Sequence, residues 1–112
     1  MNKNQSIESL ENLQSILTDN TIVLLYFSTT SCSVGESLEP KVKKLLSTKF
    51  PKIVFYTVDI NSLPKIAARF SVFIEPTILV FFYGKETIRK SRNIGVYELE
   101  EAIEKRYTLI FD

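Results

Sequence analysis

The chemistry in this chain rests on one sulfur. Cys32 is the single cysteine among 112 residues, and there is no histidine. It stands within TTSCSVGESLEP (29–40), after an apolar run and before an amphipathic one. That sets the thiol at a strand-to-helix junction, where helix N-terminal N–H groups and the dipole favour a thiolate. The hydroxyls of Ser31 and Ser33 can add hydrogen bonds to it. A thiolate so placed can attack a mixed disulfide and hold one half covalently until a small thiol resolves it. It cannot close a disulfide on itself. One cysteine without histidine also cannot build a closed zinc site, so neither metal nor cofactor is expected.

The elements that must position Cys32 follow from periodicity. Ile7, Leu10, Leu13, Ile16 and Leu17 recur at helical spacing over 6–18, with Ser6 as the expected N-cap. TIVLLYFS (21–28) is a continuous β-branched-rich run, the pattern of a strand covered on both faces. After the cysteine, Val34, Leu38, Val42, Leu45 and Leu46 form one apolar stripe, and Pro40 is expected to kink that helix. IVFYTVD (53–59) predicts a second strand. A short helix follows, capped by Asn61 or Ser62, with Pro64 in its first turn. PTILVFFY (76–83) predicts a third strand, and a turn at Gly84-Lys85 returns the chain through ETIRKSR (86–92). Leu99, Ala102, Ile103 and Arg106 mark a last helix over 96–107, and the apolar tail Leu109-Ile110-Phe111 has no assigned place. The order predicts an α/β fold: a right-handed βαβ unit and a hairpin in one mixed sheet, with helices on both faces.

Bulk properties narrow the function classes. A net charge of +1 gives no reason to invoke nucleic acid or an anionic membrane. The longest apolar runs, residues 22–27 and 78–83, are too short to span a bilayer. The N-terminus lacks the apolar core of a secretion signal, and the chain lacks cysteine pairs, so a cytoplasmic location is expected. Lys41, Lys43, Lys44, Lys49 and Lys52 read as a solvated helix face, and Asp59 as a turn residue.

This order of elements, with a cysteine after the first strand, resembles the thioredoxin family over roughly residues 20–107. Cys32 falls where the family carries its W-C-G-P-C motif, Pro40 where its helix has a proline, and Pro76 in VFIEPT where it has a cis-proline. Asn93-Ile94-Gly95 matches the glycine lining its substrate groove. The resemblance implies a single thioredoxin-like domain, 1–112, with a sheet of about four strands, because the family's usual first strand has no counterpart. It also implies a substrate platform of Ile74, Glu75, Pro76 and Gly95. The departures are specific. Gly35 replaces the resolving cysteine, Ser31 the tryptophan, Tyr26 a buried aspartate and Phe55 that aspartate's lysine partner.

Two functions stay open at this point. One is a protein of thiol redox homeostasis acting as a monothiol, its partners being a protein disulfide or a low-molecular-weight thiol, as a monomer or weak dimer. The other is a non-catalytic module that binds a partner protein through the same groove. Glu75 bears on the choice: a carboxylate about 6 Å from the sulfur would cost the thiolate roughly 2–3 kcal/mol at an effective dielectric near 20. A helix terminus returns about 0.3–1 kcal/mol.

Overall fold

The computed structural model describes residues 5–29 and 38–111. Its elements are α1 (Leu10–Asp19), β1 (Ile22–Ser28), α2 (Leu38–Lys49), β2 (Val54–Asp59), α3 (Pro64–Arg69), β3 (Thr77–Phe82), β4 (Lys85–Ser91) and α4 (Val96–Phe111). The four strands form one mixed sheet in the order β2-β1-β3-β4. β1 runs parallel to β2 and antiparallel to β3, and β3 pairs antiparallel with β4. The α/β architecture expected from the periodicity is the one observed.

Strand alternation divides the core in two. Ile22, Leu24 and Tyr26 of β1, with Ile78, Val80 and Phe82 of β3, face Val42, Leu45 and Leu46 of α2 and Leu99 and Ile103 of α4. The intervening residues Val23, Leu25, Phe27, Leu79 and Phe81 face Leu13 and Ile16 of α1 and Ile66 and Ala67 of α3. Because both faces of β1 and β3 are covered, every residue from Ile22 to Phe27 and from Thr77 to Phe82 is buried. That is why these runs are apolar at every position but Thr77, whose hydroxyl is bonded to the Ile74 carbonyl.

The N-terminal segment departs from expectation. Ser6 does not cap α1; Ser9 does, its Oγ accepting from the Asn12 N–H at 3.0 Å. Asn12 Oδ1 accepts in turn from the Glu8 N–H at 2.9 Å. Residues 5–7 are spent on the sheet edge instead. Ile7 N–H donates to the Thr57 carbonyl and Thr57 N–H to the Gln5 carbonyl, both at 2.9 Å. Ile7 is buried in the second core, so an extended backbone here satisfies β2's edge and buries a side chain at once. A two-bond bridge thus lies where no first strand was expected, beside the four-stranded sheet.

Three further points correct or complete the sequence reading. Asn61 and Ser62 do not cap α3: the Asn61 N–H and Ser62 hydroxyl donate to the Asp59 carboxylate at 3.0 and 3.1 Å, closing a turn after β2. Leu63 takes the cap position and Pro64 opens the helix. The β3–β4 hairpin turns on Tyr83 and Gly84, at φ +56° and +80°, the left-handed pair a two-residue turn requires. Val34 lies outside the described residues, whereas Pro40, expected to kink this helix, is the third residue of α2 as described from Leu38 to Lys49.

The apolar tail is the last part of α4. Tyr107 packs edge-on against Phe50 with ring centroids 4.9 Å apart, and Phe111 lies 4.8 Å from Tyr107. Lys52 Nζ sits 4.5 Å from the Phe111 ring centroid. The expected solvated lysine face is found: all five lysines are exposed, with Lys43 near Glu39 and Lys49 paired to Glu100.

Candidate functional site

β1 ends at Ser28, and its next residue, Thr29, is the last one described before Leu38. Cys32, Ser31 and Ser33 lie outside the described residues. Across the sheet, β3 begins at Thr77, directly after a cis Glu75–Pro76 peptide. Antiparallel pairing sets Phe27 opposite Thr77, so the exit of β1 and the entry to β3 meet at one end of the sheet.

A polar contact joins them. The Glu75 carboxylate accepts from the Thr29 N–H, Oε2 lying 3.2 Å from the nitrogen. The Thr29 hydroxyl lies 3.1 and 3.0 Å from Oε1 and Oε2. Two half-buried residues 46 positions apart are thereby tied together. No local sequence signal marks this pair, since hydrogen-bond partners so distant become visible only when the strands are in register. The carboxylate that sequence reading set against the sulfur is engaged by Thr29.

The backbone around Pro76 is partly free. The Thr77 hydroxyl donates to the Ile74 carbonyl at 2.6 Å, and the Arg92 N–H to the Pro76 carbonyl at 2.9 Å. Among the described residues the Glu75 N–H and C=O have no partner, so an extended chain could pair with them. The side chains beside them are apolar and open: Phe73 is 79% exposed and Ile74 39%. Gly95 borders a shallow depression with Leu38, Lys41, Asn93, Ile94 and Val96, next to Tyr97, which is 69% exposed. A Cβ on Gly95 would come no closer than 3.5 Å to Glu98, so steric room alone does not demand glycine there.

Comparison with known proteins accords with this geometry. The thioredoxin family model matches residues 5–105. The chain belongs to the thioredoxin family. It is 27% identical to the thioredoxin-like protein YdfQ of Bacillus subtilis over 97% of its own length and 96% of the relative's. It is 32% identical to the thioredoxin of Chlamydia trachomatis over 73% and 76% of the two chains. The solved thioredoxin of Fasciola hepatica superposes with a TM-score of 0.81 at 25% identity, covering 90% of this chain and 97% of that one.

Within this thioredoxin fold the departures at Tyr26 and Phe55 are packed, not vacant. Tyr26 is fully buried, its ring centroid 6.1 Å from that of half-buried Phe55. Lys43 of α2 approaches the other ring, Nζ lying 5.5 Å from the Phe55 centroid. Two aromatic rings contribute cohesion to the core beneath the site. They offer no carboxylate–ammonium pair to carry a proton. Among the described residues no group of three His, Cys, Asp or Glu side chains could hold a metal, and no helix is long and apolar enough to cross a membrane.

Proposed function

We propose that this chain, as a single thioredoxin-like domain, serves thiol redox homeostasis as a cytoplasmic monothiol, with Cys32 as nucleophile. The supporting observation is the backbone of Glu75, which no described residue engages, at the end of the sheet where β1 ends. Ile74, Glu75, Pro76 and Gly95 serve as the substrate platform, and Ser31 and Ser33 are the hydroxyls available to the sulfur and its substrate. The Cys32 thiolate attacks one sulfur of a protein or mixed disulfide. A new S–S bond forms to Sγ, and the other half leaves as a thiolate that takes a proton from water. A low-molecular-weight thiolate then attacks the held sulfur and carries it off as a new disulfide, returning the Cys32 thiolate. No cofactor enters. Membership in the thioredoxin family supports redox work, and the missing second cysteine restricts it to this one-thiol form. The protein acts as a monomer or weak dimer, without nucleic acid or membrane.

The test is turnover of 2-hydroxyethyl disulfide with glutathione as electron donor. Wild type is expected to exceed background and Cys32→Ser to fall to it, with insulin reduction at background in both. Full activity in Cys32→Ser would overturn the assignment. A second reading draws on the exposed rings of Phe73 and Tyr97: a non-catalytic groove that holds a partner protein. Partner binding that survives Cys32→Ala and fails on altering residues 74–76 or 94–96 would favour it.

A further inference from the structure

No described residue pairs a cation with the Glu75 carboxylate. A carboxylate offers about four acceptor positions, and among the described residues only Thr29 donates to it, with its N–H and its hydroxyl. Among the described residues no cation lies within ion-pair distance of it; the pairs formed are Lys43–Glu39, Lys49–Glu100 and Arg89–Glu86. Residues 30–37 contain neither lysine nor arginine. Arg92 follows β4 and Lys41 lines the depression at Gly95, and neither pairs with Glu75. The group is half-buried, which weakens its hydration, and it is held in place by Thr29. Among the described residues nothing pairs with its own N–H and C=O, and Phe73 and Ile74 are exposed beside it.

We infer that Glu75 is a specificity residue: the groove takes disulfide substrates that carry a lysine or arginine beside the reacting cysteine. An extended segment pairing with the Glu75 backbone brings its neighbouring side chains onto this wall. A cation there completes the carboxylate's bonding, whereas a second carboxylate meets like charge in a partly desolvated setting. This substrate class rests on the monothiol reading above, and the experiment separates the two.

The thiol of the reduced protein is modified by two methanethiosulfonates of opposite charge, bearing an ethyltrimethylammonium or an ethylsulfonate group. In each case the protein sulfur gains the S–S bond and methanesulfinate leaves, so only charge differs. Turnover of cystamine, 2-hydroxyethyl disulfide and glutathione disulfide is measured alongside. Wild type is expected to favour the cationic reagent at low salt. That preference should fall about tenfold in Glu75→Gln, stay in Glu75→Asp, and shrink with added salt. Thr29→Val keeps the charge and is expected to keep the preference. An unchanged preference in Glu75→Gln overturns the inference. A thiol unreactive to both reagents overturns it too, because the groove would then not be approachable. A Glu75-dependent preference without disulfide turnover sinks the monothiol reading and leaves charge selection standing as a property of the binding groove.

Discussion

Lys49 donates to Glu100 at 2.5 Å and ties the end of α2 to α4. The hydrogen bond to Glu100 and that residue's charge raise the Lys49 pKa above its ordinary value of 10.5. A cation with a raised folded-state pKa contributes its stability below the unfolded pKa and loses it as pH rises through the folded one. Lys49→Met should therefore lower Tm relative to wild type at pH 7. The gap should close as pH climbs beyond the ordinary lysine value, which a series of thermal melts from pH 7 to 12 reads directly. High salt should narrow the gap as well, because this pair sits at the surface. At the same scale, Glu75 shows how a residue's meaning depends on its partner. Read alone it is a charge set against a thiolate, whereas in the fold it is a tether to Thr29.

Among the elements, α1 illustrates competition for one short segment. The apolar spacing of Ile7, Leu10 and Leu13 fits a helix starting at Ser6, yet β2 would otherwise keep an unpaired edge beside it. The sheet takes residues 5–7, and Ser9 becomes the cap. Ser9→Ala should destabilise the protein by about 1 kcal/mol through loss of the Asn12 N–H acceptor, while Ser6→Ala should have a much smaller effect. Urea unfolding of both variants checks this, and the reverse order would contradict the capping assignment. The α3 entry repeats the lesson. Asn61 and Ser62 are good capping types, but Asp59 at the end of β2 is near enough to accept from both, so they close a turn instead. Local sequence gives the right residue types for a boundary, and the adjoining strand end decides which bond they make.

For the whole molecule, the C-terminal end of α4 closes one side of the first core. Phe50, Tyr107 and Phe111 stack in sequence, and Lys52 caps the stack through its ammonium. Phe111→Ala should cost about 1–2 kcal/mol, below the ~3–5 of a buried phenylalanine because this ring is half-exposed. Chemical denaturation with an unchanged m-value is the expected result. A neutral effect would mean that the tail adds nothing to the core. Leu109, 84% exposed in the same turn, serves as the control and should tolerate alanine.

The sequence by itself determined the elements and their order, because burial on one face or two leaves a period that neighbouring residues display. Ile22–Phe27 and Ile78–Phe82 are apolar at every position since α1 and α3 cover one face and α2 and α4 the other. Cys32, Pro76 and Gly95 were named as candidate site residues from the family resemblance; Pro76 stands at the entry to β3 and Gly95 just before α4, and Cys32 lies outside the described residues. The tertiary structure alone decided the Thr29–Glu75 contact, the packing of Tyr26 against Phe55, the edge bridge of residues 5–7 and the seat of the tail. Each joins residues tens of positions apart. Such pairs leave no period in the chain, and their partners are chosen only when strand register and helix packing bring them within bonding distance.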